Sequence, residues 1–212
     1  GNLGNNYKYQ TSDNETFDIF YNDFDQNNTG DIVLSYFNEG EQYPLRGRQC
    51  SSDQIPAIKK KFQDYDAFSI ATLEDVYTEP ALENSLHYYT KTFSSIYLEN
   101  TGNSYEMKKL PVLTQLSSIN KILKRDIDKD GYMDIIVSGN LYNSEVETPR
   151  NDGSVGVYLR YVPDSGFESI PSKISGLFIN GDVKDMEFIN LNNNEYIISA
   201  KNDDFIEFTR IK

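Results

Sequence analysis

The residues best suited to chemistry are Asp126, Asp128, Asp130 and Asp134, at positions one, three, five and nine of a single stretch, DIDKDGYMD. Carboxylates at those positions converge on one point when the backbone winds tightly, and Gly131 at position six permits the winding. Their natural occupant is a hard cation, Ca²⁺. The same grammar occurs about a hundred residues earlier in DFDQNNTGD, where Asp23, Asp25, Asn27 and Asp31 hold positions one, three, five and nine. There the glycine is Gly30, at position eight, and position six is Asn28, a residue that tolerates positive φ. A third echo, Asn190, Asn192 and Asn194, carries no charge and has Ile198 at position nine; it is read as a structural turn without metal.

An EF-hand would need a flanking helix on each side and a Glu at position twelve. Position twelve is Leu34 in the first loop and Val137 in the second, and both loops run from strand-like sequence into apolar runs, Ile32-Val33-Leu34 and Ile135-Ile136-Val137. They read as calcium loops between strands. The plain alternative is a polar hairpin turn rich in Asp and Asn.

The elements that must position these loops read as mainly β. Phe17–Tyr21, Asp31–Tyr36 and Gln42–Arg46 form a meander. Later strands are expected at Ser94–Leu98, Tyr105–Leu110, Ile119–Leu123, Asp134–Ser138, Gly156–Tyr161, Phe167–Ile170, Lys184–Ile189, Tyr196–Ala200 and Phe205–Ile211. Between them, about 51–92, the period changes to helical. A capping box is expected at Ser51 to Gln54, with Ile55, Ile58 and Phe62 on one face and Lys59, Lys60 and Lys61 largely on the other, a solvated face. Further helices are expected over Leu73–Val76 and from Pro80 through Leu82, Leu86 and Tyr89.

Three times the chain writes strand, Asx-rich loop, apolar strand, turn, strand, and repetition of a four-strand antiparallel unit is the signature of β-propeller blades. The expected units are 15–50 with 93–111, 117–172 and 181–212, in one domain over 1–212 with a helical insertion. About three blades make an open or partial propeller. The chain is expected to be the end of a longer protein, whose exposed edge strands offer surfaces for self-association.

The pattern DxDxDGxxD followed by an apolar strand resembles the calcium loop of FG-GAP and VCBS repeats, the blades of integrin α-subunit propellers and of many exported bacterial proteins. Leu45 to Arg48, Ser94 to Asn103 and Ser144 to Asn151 look like the C-terminal portion of bacterial VCBS-type proteins, although the Phe-Gly and Gly-Ala-Pro pair of that family is absent. The resemblance implies ligands at Asp126, Asp128, Asp130 and Asp134 with the carbonyl of Tyr132, and at Asp23, Asp25, Asn27 and Asp31 with the carbonyl of Thr29. It also implies export to the periplasm or cell surface.

A net charge of −13 argues against nucleic acid or an anionic membrane as partner, and seven of the 33 acids sit in the two loops. No apolar run is long enough to span a membrane, and no signal peptide is present. One cysteine, Cys50, excludes an internal disulfide, and one histidine, His87, puts the usual zinc sets out of reach. A Cys50–His87 nucleophile pair has nothing in chain order to bring it together. The expected function is a non-catalytic, calcium-pinned binding module for a protein or glycan. Its rival is a carbohydrate-active enzyme with paired carboxylates, for which Glu145, Glu147, Arg46, Arg48 and Arg150 are the polar residues to watch.

Overall fold

The computed structural model describes residues 1–144 and 148–211. It is mainly β, with four antiparallel sheets of two to four strands and six short helices among the described residues, and no sheet closes into a barrel. The chain forms two compact units, Tyr9–Thr92 and Gly1–Lys8 together with Phe93–Lys212.

In the first unit, β1 (Phe17–Asn22), β2 (Asp31–Asn38), β3 (Glu41–Pro44) and β4 (Leu86–Thr90) make a sheet in the order β3-β2-β1-β4. Alternation divides its faces. Phe20 and Val33 point into a core supplied on the other side by Ile55, Ile58, Phe62, Phe68, Leu73, Val76 and Leu82. Ile55 directly follows α1 (Arg48–Gln54) and Phe62 directly follows α2 (Pro56–Lys61), which supplies Ile58, while Phe68 comes from α3 (Tyr65–Ser69), Leu73 and Val76 from α4 (Leu73–Tyr77) and Leu82 from α5 (Glu79–Glu83). The helical segment is therefore the second layer of this unit, built onto its own sheet.

Three local expectations change here. The helix begins at Arg48, before Ser51, because buried Arg48 donates to the carbonyls of Phe62 (2.6 Å) and Gln63 (3.0 Å) and fixes that turn. Ser51 lies inside α1, and its hydroxyl donates to Arg46 O. The capping box is instead Thr72 with Asp75, at the start of α4. Ile55 separates α1 from α2 in an extended conformation, as a residue before proline must tend to do. Last, Leu86–Thr90 is a strand, because it pairs antiparallel along the otherwise open edge of β1, with Ile19 opposite Tyr88. It takes the fourth place that 93–111 was expected to fill.

In the second unit, β5 (Ile96–Asn100) and β6 (Tyr105–Lys109) form a hairpin. Four strands, β7 (Ile119–Arg125), β8 (Asp134–Gly139), β9 (Val157–Val162) and β10 (Gly166–Ile170), form an up-and-down sheet in sequence order. After α6 (Ser172–Ser175), the last sheet has three strands, β11 (Val183–Leu191), β12 (Asn194–Lys201) and β13 (Glu207–Arg210). The turn at Asn192-Asn193 joins β11 to β12 with both residues at positive φ (50° and 59°), a two-residue hairpin that explains the asparagines.

The four-stranded sheet is covered on both faces. Leu123 and Ile136 meet Met186 and Ile197 of the last sheet, whereas Val137, Val157 and Leu159 pack with Leu110, Tyr97 and Phe167. A strand buried on both sides needs a continuous apolar run, which is why β8 reads Ile135-Ile136-Val137. The opening residues are bonded into this unit. Gly4 N donates to Phe93 O (2.8 Å) and Asn151 Nδ2 to Leu3 O (3.0 Å), and Gly4 sits at φ +87° with Gln115 O only 2.6 Å from where a Cβ would stand.

The capping box gives a direct test. Thr72→Ala should lower stability by about 1 kcal/mol, measured by urea denaturation. The Thr72 backbone N–H, then its hydroxyl, holds the Asp75 carboxyl below the ordinary carboxylate range. The stability Asp75 contributes is therefore present above that range and is lost as pH falls through its folded value. The cost of Asp75→Ala should shrink correspondingly between neutral and acidic pH; a cost that stays constant would contradict this.

Candidate cation loops

The β1–β2 and β7–β8 connections are the two Asp-rich loops, and they share one hydrogen-bond frame. Position one accepts from the N–H of positions five and six: Asp23 from Asn27 (2.9 Å) and Asn28 (2.8 Å), Asp126 from Asp130 (3.1 Å) and Gly131 (3.0 Å). Position three accepts from position five, Asp25 from Asn27 (3.2 Å) and Asp128 from Asp130 (3.3 Å). Position five accepts from position seven, Asn27 from Thr29 N (2.7 Å) and Asp130 from Tyr132 N (2.8 Å). Position nine accepts from position two, Asp31 from Phe24 N (3.0 Å) and Asp134 from Ile127 N (3.1 Å).

The backbone explains how two different sequences reach this frame. Position six is left-handed in both, Asn28 at φ 65° and Gly131 at φ 94°, and so is position four, Gln26 at 61° and Lys129 at 63°. Gly30 has another reason to be glycine: a Cβ there would stand 2.1 Å from the Tyr21 hydroxyl. Position two is apolar in both loops. Phe24 packs against the core of the first unit and Ile127 against that of the second, so each loop is anchored by a half-buried side chain whose own N–H holds residue nine.

Carboxylate oxygens of Asp23, Asp25 and Asp31 lie within 4.8 Å of one another, and so do those of Asp126, Asp128 and Asp130. The two groups differ at residue nine. Asp31 belongs to its group, and burial, followed in effect by the repulsion of Asp25 and Asp23, raises its carboxyl above the ordinary range against the lowering effect of the Phe24 N–H. Asp134 stands outside its group. It is fully buried and accepts from Ile127 N, from the Tyr158 hydroxyl (2.8 Å) and from Tyr161 N (3.0 Å). Asp134 thus ties its loop to β9, and burial, followed by the Asp134 carboxylate, raises the Tyr158 phenol above its usual range.

The remaining expected residues do not converge. Asn27 and Thr29 lie in the first loop as described. Tyr132 donates its N–H to Asp130, and its half-exposed ring lies 5.9 Å from that of Tyr161. Arg48 is a structural tie between helices, Arg46 donates to Gln54 (3.2 Å), and Arg150, in the other unit, pairs with Asp152 (2.7 Å) and lies over the Tyr142 ring. Glu145 and Glu147 fall outside the described residues. Cys50 is exposed on α1, and His87 is bonded to Asp18. Lys59, Lys60 and Lys61 are exposed at the C-terminal end of α2, where cations suit the helix dipole. The sequence reading missed the left-handed position four, the Tyr158 and Tyr161 supports and the Asp18–His87 pair. The first had no signal in Gln or Lys; the others need cross-strand register.

A scan of family models, a search of curated proteins and a search of solved structures found no match to this chain. No helix among the described residues is long and apolar enough to cross a membrane.

Tyr158→Phe removes one donor from a buried carboxylate and should cost about 1.5–3 kcal/mol, the range for hydrogen bonds to charged groups, in chelator-treated protein. A loss well below 1 kcal/mol would mean that Asp134 is satisfied without it.

Proposed function

We propose that the chain is a non-catalytic β-propeller segment in which Ca²⁺ occupies the two loops, Asp23 to Asp31 and Asp126 to Asp134. The observation that carries this reading is the shared frame: two loops about a hundred residues apart, of different sequence, with the same five hydrogen bonds, the same two left-handed residues and three clustered carboxylates each. All the side-chain groups turned toward one another are oxygens, which suits a hard cation. Ca²⁺ would offset the repulsion of Asp25 and Asp23, which adds to the effect of burial in raising the Asp31 carboxyl. In the second loop, Asp126, Asp128 and Asp130 would be the side-chain ligands, with Asp134 behind them as an anchor.

The propeller reading is supported by the face-to-face order of the two-, four- and three-stranded sheets in the second unit, each covering the next. A module of this sort works outside the cytoplasm, where Ca²⁺ is abundant, and presents its surface to a protein or glycan. Fold-level analogy carries this last step.

Calorimetric titration of the chain with Ca²⁺ should give two sites, with dissociation constants on the order of 10⁻⁴ to 10⁻³ M as for extracellular modules. Asp25→Ala should remove one and Asp128→Ala the other. Saturation at about 100 times the dissociation constant should add about 2.7 kcal/mol per site to stability. Absence of heat, with identical melting in Ca²⁺ and EDTA, would end the calcium reading.

A further inference from the structure

The sheet of the first unit carries its helices on one face only. On the other face the register sets out a block of two rows across β2, β1 and β4, with Leu34, Ile19 and Tyr88 in one row and Ile32, Tyr21 and Leu86 in the next. Side chains alternate along a strand, so all of these point away from Phe20, Val33 and the helical layer. Leu34 is half-buried, and the others are exposed, from 37% at Ile19 to 64% at Tyr88. The adjoining part of the same face is already closed by Tyr9, a buried residue whose ring lies 4.5 Å from that of Tyr36 and 6.0 Å from that of Phe17.

Apolar residues exposed singly are ordinary, but a contiguous block marks a contact surface. None of the six is charged, although a quarter of the chain's residues are. That absence decides between partners. A basic partner, which a net charge of −13 would attract, finds no carboxylate in the block and would leave its own charges there without water or a pair. A neutral, apolar sheet face meets the block without that cost, and the block is itself such a face. It exposes on the order of 500 Å², so a two-fold contact between copies buries on the order of 1,000 Å², about what a specific interface needs.

We infer that this face is a self-docking surface, on which two copies of the chain stack their first-unit sheets face to face about a two-fold axis. Tyr21 and Tyr88 are the main anchors, because large aromatic side chains carry most of the contact area. An interface of this size is weak and forms against the mutual repulsion of two acidic chains. Association therefore belongs in the micromolar range and strengthens as salt screens that repulsion. None of the six residues is a loop ligand, so the inference stands apart from the calcium reading.

Sedimentation velocity on the intact chain, from about 1 µM to about 100 µM, should show a monomer–dimer equilibrium whose dissociation constant falls between about 0.05 M and about 0.5 M NaCl. Ile32→Lys and Tyr88→Lys, one from each row, should each raise that constant at least about tenfold. Both substitutions make the chain less acidic, so added repulsion cannot account for the loss. Circular dichroism reports whether each variant is folded, and Tyr88→Ala, expected to act in the same direction, replaces a lysine variant that is not. A chain that stays monomeric at about 100 µM would overturn the proposal. So would a dimer that persists in the folded lysine variants, which would place the contact on a strand edge such as that of β4, or an association that weakens with salt, as charged contacts do. A calcium titration without heat alters none of these outcomes, so the two readings fail separately.

Discussion

A carboxylate sealed from water must find donors, and Asp134 finds three from three places in the chain. Ile127 N belongs to the loop, Tyr161 N to the backbone of β9, and the Tyr158 hydroxyl to a side chain between the two sheets. Satisfying this one charge therefore fixes the return of the loop, the register of β8 against β9 and the rotamer of Tyr158 together. Asp31 does the same with one donor, Phe24 N, and correspondingly remains near the other carboxylates of its loop. The number of donors at residue nine thus decides whether that carboxylate is an anchor or a member of the cluster.

From that anchored loop the second unit grows by covering faces. β8 is apolar on both sides, so a sheet is required on each, and buried amides fasten the layers where apolar contact ends. Asn140, itself at φ 86°, donates to Ser154 O (2.9 Å) and Gly181 O (2.8 Å), while Asn120 donates to Asn140 O (2.9 Å) and Val183 O (2.8 Å). These two side chains close backbone groups at the sheet ends that would otherwise be buried without partners. The first unit solves the same problem with helices, and its polar tie is Arg48 on two carbonyls.

Much of this was legible because the signals are local. Strands alternating in pairs around Asp- and Asn-rich turns identify themselves, and Asn192-Asn193 supplies the hairpin geometry outright. The errors fall where partners decide. Leu82, Leu86 and Tyr89 satisfy a helical period, yet the open edge of β1 recruits Leu86 to Thr90 into a strand. Ser51 to Gln54 satisfies a capping pattern, yet Arg48 starts the turn three residues earlier by holding carbonyls that lie fourteen and fifteen residues away. The sequence likewise could not divide the acids of the second loop into cluster and anchor, because the division depends on β9, more than twenty residues on.

The two loops also bear on what a glycine in such a motif means. The second loop has glycine at position six and the first has asparagine, but both backbones are left-handed there and at position four, so the frame is set elsewhere. It is set by backbone amides of the loop converging on the carboxylate of residue one, which takes two in each loop, with single loop amides on residues three, five and nine, to which Asp134 adds the Tyr161 amide from β9. Those N–H dipoles offset part of the cost of gathering the charges before any ion arrives. A cation entering such a ring would find its ligands already close, and binding would then report mainly the relief of repulsion among fixed oxygens, with little ordering cost. That is also why the first loop, with Asn27 where the second has Asp130, need not be the weaker of the two: it carries one charge fewer at position five but keeps Asp31 within the cluster, whereas the second loop withdraws Asp134 to hold the fold.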